Sequence, residues 1–173
     1  MDRSFKQELT AKWTISESVR VSIIAALYIG LTMLIAPLAY GVFQLRISEM
    51  LGLLPFDRKY GGRSAAIGVV LGGTVVGFMS PHGGADLIIG MISGIICVAV
   101  AWYIGTKGNS NLLKQLTGFA YSIITTFFIG YLMLHVIFQC PLWESLYGVF
   151  IGEIIAINGL GFLLLKGLER TYK

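Results

Sequence analysis

The chain is short of charge. Only 13% of its 173 residues are Asp, Glu, Lys or Arg, while 55% are hydrophobic. An ordinary soluble domain carries about 25% charged residues, so too few are present to cover a water-facing surface. The apolar residues come in long runs, and the chain reads as a single integral membrane domain. Cysteine is also scarce. Cys97 lies inside an apolar run and Cys140 at a loop; two residues without ligand spacing give neither a disulfide framework nor a metal site, and they read as small apolar fillers. No phosphate-binding loop motif occurs, no nucleophile is paired with a base, and no cleavable leader is evident, because the first eighteen residues are polar. No cofactor is expected. The pI near 9.1 does not point to nucleic acid, because the basic residues are scattered beside apolar runs, where they act as topology signals.

Along the chain, residues 1–18 form a polar arm, with Phe5, Leu9, Trp13 and Ile15 giving it an amphipathic face and Trp13 at headgroup level. Residues 19–173 are the membrane domain. Its first apolar run extends from Val19 to about Tyr40, with Pro37 near the end, where a helix tolerates a lost hydrogen bond. Ile47 to Phe56 makes about ten helical residues, half of the ~20 needed to span a bilayer, so it must be a short or re-entrant helix shielded by its neighbours. Ser64 to Met79, Ala85 to Gly105, Leu112 to Phe138 and Leu142 to Leu168 follow, separated by charged or glycine-proline loops. The expectation is an all-α, compact six-transmembrane-helix bundle in which the second helix is the one short member.

What is missing from one side of that bundle is positive charge. With a cytoplasmic amino terminus, the inner side receives Arg3, Lys6, Lys12, Arg20, Arg58, Lys59, Arg63, Lys107, Lys114, Lys166, Arg170 and Lys173, and the outer side receives Arg46 alone. This asymmetry predicts that both termini are cytoplasmic. It also requires the short segment to cross, since otherwise Arg58, Lys59 and Arg63 would fall outside.

Small residues recur four apart at Ser22/Ala26/Gly30, Gly68/Gly72, Gly73/Gly77, Gly90/Gly94 and Gly148/Gly152/Ala156. In lipid, such stripes let helix backbones approach. The later four read as packing within the bundle. The first is open to a second use, contact with a separate membrane partner.

The outer side gathers Arg46, Glu49, Asp86 and Glu144, with Glu153 about 14 Å deeper along the last helix at the standard rise and Asn158 beyond it. Ionisable groups in a bilayer mark ligand or ion pathways. Each has a structural alternative: Arg46 pairing with Glu49 at i and i+3, Asp86 as a helix cap, Glu144 as a solvated interfacial charge. His82 and His135 read as outer loop or helix-end residues. Glu153 resists dismissal, because a buried carboxylate needs a partner. Tyr40, Phe43, Phe138, Trp143 and Tyr147 lie on the same side. They suit an interfacial belt, or rings that hold a planar heterocycle whose N–H groups the carboxylates read.

The run Phe43-Gln44-Leu45-Arg46-Ile47-Ser48-Glu49, continuing to Leu54-Pro55-Phe56, resembles the signature of the QueT family. The resemblance extends to chain size, the six-segment layout, the Asp86-containing start of the fourth segment and Gly152-Glu153 in the sixth. It implies a substrate-binding S component of an energy-coupling factor (ECF) transporter, an ABC-type importer of vitamin-like solutes, in the plasma membrane of a prokaryote. Such a subunit captures its ligand outside and docks on a transmembrane T component carrying two ATPase subunits, so the chain is no enzyme itself. Docking in these proteins commonly uses an Ala-x-x-x-Ala motif in the first helix; Ala26-Leu27-Tyr28-Ile29-Gly30 matches it with glycine for the second alanine, and Ser22 extends the stripe.

The implied ligand is a queuosine precursor or related 7-deazaguanine. Its guanine-like N–H groups suit carboxylates and its carbonyl suits an arginine. The expected ligand contacts are Arg46, Glu49, Asp86 and Glu153, with Phe43, Trp143, Tyr147 and Asn158 as further candidates. The rival reading is a self-sufficient proton- or ion-coupled small-solute carrier, since buried carboxylates also relay protons.

Overall fold

A computed structural model describes residues 9–41, 44–59 and 61–171, and it is helical throughout, with no strand among those residues. The helices are α1 (Ile15–Leu34), α2 (Ala36–Ala39), α3 (Ile47–Phe56), α4 (Gly62–Phe78), α5 (Gly84–Gly105), α6 (Asn111–Ile137) and α7 (Leu142–Thr171). α1 begins at a capping box. The Thr14 side chain accepts from the Glu17 backbone N–H, and the Glu17 carboxylate accepts from the Thr14 N–H, so donors left over at the helix start are paired. α1 stops at Leu34, before the expected Tyr40, and Pro37 falls in the first turn of α2, where it has no hydrogen bond to lose.

Four of these helices, α1, α5, α6 and α7, are long and apolar enough to cross a membrane; α4, with 17 residues, and α3, with 10, are shorter. The expectation of a single short helix is corrected on this point, because α4 begins only at Gly62, after the Gly61 cap, and ends at Phe78 before the Met79 cap. Lipid-type surface surrounds the bundle: Leu27, Leu71, Ile88, Ile123 and Ile155 all face outward.

α3 has 3₁₀ geometry. At about 2.0 Å rise per residue its ten residues extend ~20 Å, where an α-helix would reach only ~15 Å. Arg46 at its start contacts Asp86 at the start of α5, and the Phe56 carbonyl at its end lies against Gly105 at the end of α5, where any Cβ would collide with it. α3 therefore runs beside α5 from one end of the bundle to the other. Ser48, Glu49 and every residue from Leu51 to Phe56 are buried, packed by Tyr28, Val69, Trp102, Tyr121, Ile157 and Leu165. A ten-residue helix is tenable at such depth only inside this sheath.

Side-chain contacts sort the two ends. At one, Arg63 of α4 binds Glu17 of α1 at 2.7 Å, and Lys114 of α6 binds Glu169 of α7 at 2.5 Å. At the other lie Arg46 and Asp86, together with His82, whose Nε2 is 3.0 Å from the Tyr40 carbonyl, and His135, whose Nδ1 is 2.9 Å from that of Cys140. The described basic residues other than Arg46 fall at helix ends or loops of the first end. α6 and α7 each widen to π geometry, over Thr126–Ile137 and Ile154–Gly161, the latter immediately after Glu153.

Candidate functional site

Arg46 sits just before the first turn of α3 with an extended backbone, which aims its side chain across the bundle end. Nη2 donates to both oxygens of Asp86, at 2.9 and 3.3 Å, and Nε donates to the Ala39 carbonyl at 3.1 Å. The guanidinium also lies 5.5 Å from the centre of the Tyr40 ring, a cation–π distance. Both charged partners are buried, at 8% and 1% exposure. Two local alternatives are thereby decided. Arg46 pairs with Asp86 and not with Glu49, and Asp86 is no cap: Gly83 occupies that position at φ 62°, and Asp86 lies within the first turn of α5.

Glu49 has different partners. Tyr28 of α1 donates to one carboxylate oxygen, and Tyr121 of α6 donates to the other at 2.9 Å. One turn above Tyr28, Thr32 shares a 2.7 Å hydrogen bond with Ser48. Both tyrosines fit because glycines stand beneath them, Gly72 under Tyr28 and Gly52 under Tyr121; a Cβ at Gly72 would come within 2.8 Å of the Tyr28 side chain.

Glu153 of α7 is buried, and its Oε2 has no hydrogen-bond partner among the described residues. It lies within electrostatic reach of Glu49 and Arg46. The Gln44 Nε2 is a second buried polar atom without a partner, and the Gln44 carbonyl packs against Gly152 so closely that a Cβ there would collide with it. Three carboxyls thus surround one guanidinium, with one carboxyl oxygen and one amide nitrogen unsatisfied. Buried polar groups in that state call for a hydrogen-bonding partner.

A cavity of about 30 Å³ opens among Tyr28, Arg46, Glu49, Asp86, Ser93 and Thr125. That volume holds one or two waters. Gly73, Gly90 and Gly94 form part of its wall, and a Cβ at Gly94 would meet nothing within 4 Å. The Gly90/Gly94 stripe therefore faces this space instead of packing two helices, whereas Gly68, Gly72 and Gly77 each abut a neighbouring helix.

Of the residues singled out from the sequence, Arg46, Glu49, Asp86 and Glu153 come together. Trp143 and Tyr147 do not: their rings stack on each other at 5.8 Å on the outer surface, exposed by 65% and 59%. They lie in the first two turns of α7, on the face turned away from the bundle. Asn158 is also separate, donating to the Gln115 carbonyl and Oε1 at 2.8 Å near the opposite end of the bundle. Phe43 lies outside the described residues. Glu144 is exposed, as an interfacial charge would be. Ser22, Ala26 and Gly30 are all exposed along α1, and a Cβ at Gly30 would meet nothing within 4 Å. Sequence reading overlooked Tyr28 and Tyr121. The available signal was their depth, since tyrosines in mid-helix rather than at a membrane interface carry hydroxyls that need partners.

An apolar-faced helical bundle that encloses ionisable groups at one end has the makeup of a membrane transport protein. The chain matches the QueT transporter family over residues 18–170, nearly its whole length, and belongs to that family. It is therefore a multi-pass membrane protein of a transporter family. Neither the curated proteins nor the solved structures contain a match to it.

Proposed function

We propose that this chain is the substrate-capture subunit of an ECF-type importer and that it binds a 7-deazaguanine of the queuosine-precursor class. The observation that carries the reading is the buried Arg46–Asp86, Glu49 and Glu153 cluster, with its unsatisfied oxygen on Glu153. The carboxyls are acceptors for a guanine-like N–H edge, and Arg46 is a donor for its carbonyl. Three carboxyls against one guanidinium favour a ligand that brings positive charge, so the aminomethyl form ranks above the cyano form. The 30 Å³ cavity is smaller than any heterocycle, so capture involves widening of the space among α1, α3, α4, α5 and α6 whose residues line it.

In this reading α3 and α4 cross along with the four long helices, giving six spans with both termini cytoplasmic and the Arg46 end outside. The segregation of basic residues at the other end supports that orientation. The membrane is the plasma membrane of a prokaryote. The outward-facing Ser22, Ala26 and Gly30 of α1 are the surface for a T component, and ATP is hydrolysed by its two ATPase subunits. No resident cofactor is involved.

The test is titration calorimetry of the purified protein with 7-aminomethyl- and 7-cyano-7-deazaguanine, alongside native mass spectrometry for a co-purified heterocycle. Binding of the aminomethyl compound supports the reading; no binding of either compound and no bound heterocycle rejects it. The unpaired Glu153 oxygen also suits a self-sufficient proton-coupled carrier. Uptake by proteoliposomes containing this chain alone would favour that alternative.

A further inference from the structure

Among the described residues, three buried side-chain atoms lack a hydrogen-bond partner: Gln44 Nε2, Glu153 Oε2 and Asn158 Oδ1. Asn158 is engaged with Gln115 near the opposite end of the bundle. The other two belong to the carboxyl-cluster end, and one is an N–H donor while the other is an acceptor. We propose that Gln44 is a ligand-binding residue that donates to the carbonyl of a ring lactam while Glu153 accepts from the N–H beside it. This role presupposes capture of a 7-deazaguanine and makes Gln44 a residue that decides which heterocycle is accepted.

The backbones of the two residues adjoin at Gly152. A Cβ on that glycine would collide with the Gln44 carbonyl oxygen and lie 3.3 Å from the Leu45 Cα. The chain entering α3 therefore rests directly on α7, at the residue before Glu153. Two positions beyond Gln44 is Arg46, whose backbone is extended. Side chains two apart in an extended chain point the same way. Burial alternates accordingly: Gln44 and Arg46 are 3% and 8% exposed, and Leu45 between them is only partly buried. Gln44 thus shares the side of the chain from which Arg46 reaches Asp86.

A buried donor and a buried acceptor on adjoining backbone could satisfy each other, yet neither bonds the other. Each unmet atom costs free energy, and a single molecule that carries an acceptor next to a donor removes both costs. A ring lactam, C=O beside N–H, is such a pair and forms one edge of a guanine-like base. Its carbonyl oxygen has two lone pairs, enough for Arg46 as well as Gln44. An amidine edge, with an amine in place of the carbonyl and a bare ring nitrogen, would set donor against donor and acceptor against acceptor.

The test is calorimetry on the purified full chain with 7-aminomethyl-7-deazaguanine and its 2,6-diamino analogue, in which an amine replaces the carbonyl and N1 carries no hydrogen. Wild type should favour the lactam by at least roughly tenfold. Gln44→Met keeps the side-chain length without the donor; it should lower affinity for the lactam roughly fivefold and narrow the preference. Because the amide it removes is unpaired in the free protein, its melting temperature should stay level or rise. The ratio of the two affinities is decisive even where a variant melts earlier, since loss of folded protein lowers both alike. A preference in Gln44→Met equal to that of wild type overturns the proposal and leaves capture of the base standing, as does equal binding of the two compounds by wild type. Wild type that binds neither compound rejects the capture reading itself, and the role of Gln44 with it.

Discussion

Arg46 and Asp86, forty residues apart, are joined by one guanidinium nitrogen that donates to both carboxylate oxygens, at 2.9 and 3.3 Å, with the pair buried. The bridge fastens the start of α3 to the start of α5, so the residue that positions a short buried helix is also the one positive charge in the carboxyl cluster.

Breaking that bridge from one side should be worse than removing it. Arg46→Ala or Asp86→Asn leaves the other partner uncompensated, which costs about 3–5 kcal/mol, whereas apolar replacement of both is far milder. Thermal melts in detergent should therefore rank Arg46→Met/Asp86→Leu above either single variant. A double variant less stable than both singles contradicts this account.

Ligand affinity should depend on Glu153 more than stability does. Glu153→Gln keeps the shape but replaces an acceptor oxygen with a donor, and a hydrogen bond to a charged group contributes about 1.5–3 kcal/mol. Affinity for the 7-deazaguanine should fall roughly tenfold or more, and Arg46→Ala should weaken it by a similar factor. Calorimetry giving wild-type affinity for both variants would sink the site assignment.

The two tyrosines on Glu49 should behave as one unit. Tyr28→Phe and Tyr121→Phe each remove a donor from a buried carboxylate, at about 1–3 kcal/mol. Because they share a partner, the double variant should depart from the sum of the singles. Additive losses in chemical or thermal unfolding would show that Glu49 does not link them.

Two glycines should separate packing from docking. Gly152→Ala drives a Cβ into the Gln44 carbonyl, an overpacking that costs about 1–3 kcal/mol. Gly30→Leu meets open space and should leave the melting temperature unchanged while abolishing co-purification with the T component and its ATPases. An intact complex with Gly30→Leu removes α1 as the docking face.

Membrane character, the helical segments and the gathering of basic residues away from Arg46 were legible in the sequence because each depends on local composition or on the order of loops along the chain. Arg46, Glu49, Asp86 and Glu153 stood out for the same reason, as charges in apolar surroundings. Pairing was not legible. The i, i+3 spacing offered Glu49 to Arg46, yet tertiary packing gave Asp86 to Arg46 and two mid-helix tyrosines to Glu49. Trp143 and Tyr147 were equally suited by composition to a belt or a site, and only the rotation of α7 turned them outward.

By itself, then, the sequence determined that this is a membrane-embedded helical chain with its carboxyls and Arg46 set apart from the other basic residues, because hydropathy and charge order are properties of single segments. The tertiary structure alone decided which charges neutralise one another, which carboxyl oxygen is left unsatisfied and how a ten-residue 3₁₀ helix reaches from end to end. Those outcomes depend on distances between residues remote in the chain, and burial makes each such distance count: where water is absent, a polar atom either finds a partner within the protein or remains available to a ligand.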